Sequence, residues 1–385
     1  MKQIERKKVI TLLFIFFYFI QFNPVVSCIQ QNGLTIPTND GACEHSLLII
    51  IPKRYDTMIL QQFKNYKNEI YGKTEIITTK EIFNTYPGRD KQEQIKYCIK
   101  QAYDEFHISS VLIIGDYKDI PVRYCYNNDG FLSYPEPYFI SDLYYADLYD
   151  GTGCFSSWDT DNDGIFGEWQ DESADDADIS LTPEVTLGRL PCSNIFEVKT
   201  VIRKIIDYEI NTAYSNWFHR FVVAGGDTYS EARGYVGEIY DYYEGEVLTS
   251  EAVDIMSGFN ATKLFASTET LSTLTLIKAI NQGCGFLYLS GHGSSGVWNT
   301  HPPNSAETVG NFQNMLMPLL RNKNKLPVCI VEACHNSQFD VSPLRIFCNP
   351  YIYGTWHRDC WSWKLTSLPH GGSIATIGCT GLSWQ

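Results

Sequence analysis

The sequence predicts an α/β fold in two successive blocks, each a mostly parallel sheet covered by helices. Three observations predict it. Short apolar runs without polar alternation recur at "SLLIII" (46–51), "SSVLIIGD" (109–116) and "FHRFVVAGGD" (218–227), as in strands buried on both faces. Segments of helical spacing separate such runs, so the strands are joined by crossovers rather than tight turns. Apolar residues make up 44% of the 385 and charged residues 19%, enough for a sizeable core and too apolar for global disorder.

The elements follow in order. Residues 1–27 read as an export signal. Lys2, Arg6, Lys7 and Lys8 precede the apolar run Val9–Ile20, and small Ser27 stands before Cys28. That run is short for a spanning helix, which needs about 20 residues. An uncleaved membrane anchor is the competing reading, and "VVSC" resembles a lipobox that would place a lipid on Cys28. A polar lead covers 28–45. The first block, 46–216, opens with the strand 46–51. A helix near Asp56–Asn68, the strand "TEIITT" (74–79), a helix over Lys91–Phe106 and the strand 109–116 follow. Residues 117–180 lose this rhythm and read as a long ordered excursion rich in Tyr, Asp and Gly. "PEVTLGRLP" (183–191) returns to strand, and Ile195–Asn211 to helix.

The second block, 217–385, begins at the strand 218–227. A Tyr-rich helix (Val236–Tyr243), the strand "ATKLFAS" (261–267) and the helix 271–283, stopped by Gly283, come next. The strand "FLYLS" (286–290), a helix near Val309–Leu320, the strand in "LPVCIVEACH" (326–335) and an apolar strand in "GGSIATIGCTG" (371–381) complete it. The short lead predicts that this chain carries no large N-terminal pro-domain. The sequence stops soon after an apolar strand without a closing helix, which suggests further chain beyond.

Charge narrows the function. Formal net charge is −14, and loss of residues 1–27, with four bases and one acid, takes it near −17. No basic stripe is present to neutralise phosphates, so nucleic acid is not an expected partner. Twelve cysteines in an exported chain suggest some disulfides. No CxxC pair occurs, so a zinc ribbon is not indicated. The only N-glycosylation sequon is at Asn260.

Two stretches carry chemistry. "FLYLSGHGSSG" (286–296) ends a buried strand at His292 between Gly291 and Gly293. "VCIVEACHNS" (328–337) ends another at Cys334. In an open parallel sheet, chemistry collects outside the carboxyl ends of strands, and one α-helical crossover between these two makes them plausible neighbours. A thiolate is a nucleophile, and a nearby imidazolium favours it. The glycines let a substrate backbone approach, and the Gly293 N–H can face a developing oxyanion. The plainer reading is a buried core cysteine and an unrelated loop histidine. His335 follows Cys334 directly and, on an extended segment, should point to the other face.

"SGHGS" followed by "EACHNSQF" resembles the caspase-like cysteine peptidases. "VLIIGDYKDIPVRY" (111–124), "PEVTLGRLPCSN" (183–194) and "GGSIATIGCTGLS" (371–383) narrow the resemblance to the gingipain family over roughly 46–385. The resemblance implies a caspase-like three-layer α/β sandwich of two subdomains, the second bearing a Cys-His dyad. It implies peptide-bond cleavage through a thioester, with peptides or proteins as substrates. His292 would carry a proton to the leaving amine, and the N–H groups of Gly293 and Cys334 would hold the oxyanion. An acid that orients the histidine is carried over onto Asp227, whose plainer role is a helix N-cap for "DTYSEA". An aspartate expected in a basic P1 pocket has no clear counterpart, with only Glu231 and Glu238 in "YSEARGYVGE" (229–238).

A second site is expected in "DTDNDGIFGEWQDE" (159–172). Asp159, Asp161 and Asp163 alternate, Gly164 allows a sharp turn, and the Ile165 carbonyl and Glu168 follow. Such hard oxygen donors suit a structural Ca²⁺, although the spacing departs from the EF-hand; a solvated acidic loop is the alternative. The resemblance also favours structural calcium. The resulting expectation is a secreted, calcium-stabilised cysteine endopeptidase, extracellular or anchored at the cell surface. A non-catalytic surface or adhesion protein on a peptidase-like scaffold is the second reading. A Cys/His metal site at His292, Cys334 and His335 lacks an evident fourth ligand.

Overall fold

The run "SLLIII" is apolar throughout because both of its faces are covered. In the computed structural model, which describes residues 46–128, 137–170, 173–174, 176, 179–212, 215–228, 243–302, 305, 307–342 and 357–383, it forms strand β1 (Ser46–Ile51). Leu48 and Ile50 face one core with the Lys91–Phe106 helix. Ile49 and Ile51 face another with the Met58–Tyr71 and Ile195–Asn211 helices. β2 (Thr74–Thr78) and β3 (Ile108–Ile114) pair with β1 in parallel. The excursion after β3 holds β4 (Arg123–Asn128), β5 (Tyr138–Ser141) and the two-residue strands β6 (Trp169–Gln170) and β7 (Ser173–Ala174). The chain then returns as β8 (Thr186–Leu190), parallel to β3, giving the order β2-β1-β3-β8.

The second sheet is also parallel, with order β10-β9-β11-β15-β16. Its strands are β9 (Arg220–Gly225), β10 (Asn260–Phe265), β11 (Phe286–Ser290), β15 (Val328–Glu332) and β16 (Ala375–Gly378). Val222, Ala224, Leu287, Leu289, Cys329 and Val331 build the core on one face. Phe221 and Phe286 stack edge-on with each other on the opposite face, joined by Phe218 and Phe259. The order matters for function. From β9 the chain steps outward to β10, then crosses back to β11 on the other side of β9. The carboxyl ends of β9 and β11 therefore flank a topological switch point, where parallel sheets open a crevice.

The connection from β11 to β15 differs from the sequence reading. Among the described residues no α-helical crossover spans it. β12 (His292–Ser294), β13 (Val297–Thr300) and β14 (Val309–Gln313) form an antiparallel sheet, followed by a 3₁₀ helix, Asn314–Leu319. Three features override a helix over Val309–Leu320. Gly310 has a positive φ of 71°, Pro318 lies inside the segment, and burial alternates along β14, which is strand periodicity. Phe312 packs edge-on against Trp361 at 5.8 Å, and its carbonyl accepts from the Trp361 indole at 2.8 Å. The Trp361–Ser367 helix was not legible in the sequence. The Tyr-rich helix expected over Val236–Tyr243 lies almost wholly outside the described residues; the helix described there is Glu244–Ile255. The export signal and the lead likewise lie outside them.

The cysteines depart from expectation as well. Among the described residues nine are free thiols, six of them buried. Cys98, Cys284 and Cys329 sit inside the cores, where burial pushes the first two thiols up to about 12. They serve as small apolar side chains.

Candidate active site

The parallel register of β11 and β15 sets Ser290 opposite Glu332. Two residues beyond each stand His292 and Cys334, so both follow the carboxyl ends of neighbouring strands. The Gly291 N–H donates to the Glu332 carbonyl at 3.1 Å, extending the ladder to the loops themselves. Gly293 shows how close those loops run. A Cβ there would lie 2.6 Å from the Cys334 carbonyl oxygen, 2.8 Å from the Ala333 Cβ and 2.4 Å from Asn336 Oδ1. Only glycine fits. His292 is exposed and Cys334 half-buried, which leaves the histidine open to an incoming chain.

The tail after β16 forms one wall of the Cys334 site. Backbone bonds join Ser337 N to the Cys379 carbonyl and His335 N to the Gly381 carbonyl, both at 2.9 Å. This brings the Ser383 N–H to 3.4 Å and the Ser383 carbonyl to 3.7 Å from Cys334 Sγ, so the sulfur meets one donor and one acceptor of the same residue. Beneath the pair, the Tyr288 hydroxyl donates to Glu332 Oε2 at 2.5 Å and the Ser290 hydroxyl at 3.4 Å. Burial nonetheless raises the Glu332 pKa.

Asp227 reaches the same crevice from the end of β9, buried at 3% exposure. The imidazole within 3.8 Å of its Oδ2 belongs to His301. His301 in turn stacks on His292, with ring centroids 5.3 Å apart and the two Nε2 atoms at 3.3 Å. Glu244, at the start of its helix, lies beside Asp227. Burial first, then the Asp227 charge, raises the Glu244 pKa. The segment "YSEARGYVGE", with Glu231 and Glu238, lies outside the described residues.

His335 does not sit on extended backbone. Its φ is +57° and its ring is buried, where desolvation lowers its pKa. A turn, not strand alternation, separates it from the Cys334 side chain. Two residues of the site, His301, buried after a strand end, and Asn336, carry no motif of their own. Proximity to Cys334 was the only available signal for Asn336.

In the acidic loop, carboxylate oxygens of Asp159, Asp161 and Asp176 lie within 4.8 Å of one another. Asp163 stands apart: its Oδ1 accepts from the Ile165 N–H at 2.7 Å, closing a local turn. Asp176, unforeseen, returns through the β6–β7 hairpin and accepts from the backbone N–H groups of Thr160 at 2.5 Å and Glu168 at 2.9 Å. Glu168 thus meets the cluster through its backbone, and neither its carboxylate nor that of Asp163 joins the group. Arg89 pairs with Asp159 Oδ2 at 2.5 Å. Asp159 Oδ1 is buried without a hydrogen-bond partner. Three carboxylates with one cation and one orphaned buried oxygen fit a hard divalent ion.

A sequence profile of peptidase family C25 matches residues 43–385. Gingipain R2 of Porphyromonas gingivalis is 24% identical over 298 residues, covering 76% of this chain and 32% of that protein. An uncharacterized protein of Archaeoglobus fulgidus is 22% identical over 342 residues, 83% of this chain and 72% of that one. The crystal structure of the Arg-specific cysteine proteinase gingipain R matches with a TM-score of 0.62 at 19% identity, over 91% of this chain and 66% of that chain. The chain therefore spans about a third of the length of gingipain R2. The shared architecture is the caspase-like α/β fold, and by the match over residues 43–385 the chain belongs to peptidase family C25, a family of cysteine peptidases.

Proposed function

We propose that the protein is a secreted cysteine endopeptidase in which Cys334 is the nucleophile and His292 the general base and acid. The observation that supports this reading is the paired register of β11 and β15, in which His292 and Cys334 each lie two residues beyond the paired Ser290 and Glu332, at the sheet end that also holds the β9–β11 switch point. The chemistry follows from the groups present. His292 accepts the thiol proton, and the thiolate attacks the peptide carbonyl carbon. The developing oxyanion is received by the N–H groups of Gly293 and Cys334. Collapse expels the amine, which takes the proton from His292 and leaves a thioester on Cys334. Water, deprotonated by His292, then releases the acid, and the proton returns to sulfur.

Asp159, Asp161 and Asp176 would hold a structural Ca²⁺, with Asp163, the Ile165 carbonyl and Glu168 bordering it rather than converging on it. Bound there, the ion would balance the two buried carboxylates, Asp159 and Asp176, and the exposed Asp161. Peptides or proteins are the substrates on this reading. Secretion is proposed from the leader-like residues 1–27. No helix among the described residues is long and apolar enough to cross a membrane.

The test is covalent labelling. The full chain is treated with a mixed set of peptidyl acyloxymethyl ketones and digested for mass spectrometry. Label on Cys334, lost in His292→Ala, is the expected result. An unlabelled Cys334 in protein that hydrolyses no member of a mixed peptide library would favour a non-catalytic scaffold.

A further inference from the structure

We infer that His301 is a positioning residue that fixes the tautomer of His292 and carries the influence of Asp227 to it. The inference rests on the reading of His292 as the dyad base.

The backbone around His301 is pinned from both sides. The Asp227 N–H donates to the His301 carbonyl at 2.9 Å, and the Thr300 hydroxyl donates to the Asp227 carbonyl at 2.8 Å. The ring is buried at 5% exposure, so its partners are fixed. Nδ1 faces two groups, the Pro302 carbonyl at 2.9 Å and Asp227 Oδ2 at 3.8 Å. A carbonyl oxygen can only accept, and so can an ionised carboxylate, so Nδ1 of His301 carries a proton. In the neutral ring Nε2 is then an acceptor. It lies 3.3 Å from Nε2 of His292, and a hydrogen bond there needs one proton. That proton belongs to His292. His292 is thereby held as the Nε2–H tautomer, with Nδ1 as its basic nitrogen. When His292 takes up the thiol proton, its Nε2–H keeps the His301 lone pair as acceptor. Asp227 stands behind Nδ1 of His301, with Glu244 beside it. Among the described contacts, the imidazole of His301 links Asp227 to His292.

The experiment uses the full chain and reads Cys334 alkylation by iodoacetamide against pH, together with kcat and KM on a mixed peptide library. His301→Phe keeps a flat ring against His292 and removes the acceptor. Its kcat should fall about 10–100-fold, the scale on which a misoriented catalytic group loses rate, with KM little changed. Its alkylation profile should move to higher pH, because the imidazolium that favours the thiolate has lost its partner. His301→Gln, whose amide oxygen can accept near the Nε2 position, should restore much of both. In a His292→Ala background, His301→Phe should add nothing. An unshifted alkylation profile in His301→Phe, or an equal further loss in the His292→Ala background, would overturn the inference. If His292→Ala itself leaves turnover and alkylation unchanged, the dyad reading fails instead. Should His301→Phe not fold, nitrogen-15 NMR of the histidine-labelled wild-type protein decides. Protons on Nδ1 of His301 and Nε2 of His292 support the inference, and the opposite tautomers refute it.

Discussion

Asn336, two residues past Cys334, holds the carbonyl of Ser294, two residues past His292, in a 2.6 Å hydrogen bond. The same amide donates to the Val297 carbonyl at 3.0 Å, so it grips both strands of the β12–β13 hairpin. The Asn336 carbonyl accepts from Ser362 N at 2.9 Å, and the side chain is fully buried. One residue thus ties the loops that carry the thiol and the imidazole to each other and to the Trp361–Ser367 helix.

Asn336→Ala should therefore do two things. It removes two part-buried hydrogen bonds, which costs about 0.5–1.5 kcal/mol each, read as a lower urea midpoint. It also frees the hairpin that orients His292, so kcat should fall by about ten-fold or more even at temperatures where the variant is fully folded. A variant with lowered stability and unchanged kcat would show that the clamp serves the fold alone.

Gly293→Ala tests the closeness of the two loops. The added Cβ meets backbone and a buried amide at under 3 Å, and neither can swing away as a flexible side-chain end could. Pushing the loops apart should cost about 1–3 kcal/mol and should impair peptide hydrolysis more than the stability loss explains. Full hydrolysis at an unchanged melting temperature would mean that the loops are looser than this packing allows.

The sheets were legible because buried parallel strands write themselves as apolar runs, and β1, β3, β9 and β11 fell where those runs stand. The positions of His292 and Cys334 beyond neighbouring strand ends were legible for the same reason: a strand that runs into Gly-His-Gly or Ala-Cys announces its carboxyl end. What lay between was not. β12 to β14 are short, half-polar strands, and Val309–Leu320 keeps enough apolar residues to imitate a helix until Gly310 and Pro318 are weighed. Contacts made at a distance left no local mark. Asp176 reaches Asp159 only through a hairpin of two-residue strands, and His301 reaches His292 only after the β13 strand folds back.

Calcium removal should lower stability through Asp159, Asp161 and Asp176. A ligand that binds only the folded state raises the melting temperature with its concentration. Chelator should lower the melting temperature of the wild-type protein, and added Ca²⁺ should restore it. Asp176→Asn keeps one oxygen, which can accept from Thr160 or Glu168 but not both, and removes a charge; its melting temperature should start lower and respond less to Ca²⁺. A wild-type melt indifferent to chelator would dismiss the ion, leaving Arg89 as the cation that balances Asp159.

The last prediction separates His335 from His292. Burial lowers the His335 pKa below its ordinary value, so the folded protein prefers the ring neutral. The unfolded chain takes up that proton near pH 6.5. Below that point the unfolded state binds more protons than the folded one, and stability falls as the pH drops through the folded pKa. The half-buried Glu332 acts with the opposite sign: its raised pKa gives stability at low pH that is lost as the pH rises. A melting curve of the wild type alone therefore mixes the two, and the difference from a variant isolates His335. Asn is the substitution of choice, because the site has φ +57° and Asn tolerates that left-handed backbone better than most side chains. The melting temperature of His335→Asn should decline less than that of the wild type between about pH 7 and pH 5, where ordinary histidine titrates. Its peptide hydrolysis should stay near the wild-type level, whereas His292→Ala should lose about 10²–10⁴-fold, the usual worth of a general base. If His335→Asn is inactive while His292→Ala still turns over, the proton acceptor for Cys334 is the buried ring and not the exposed one.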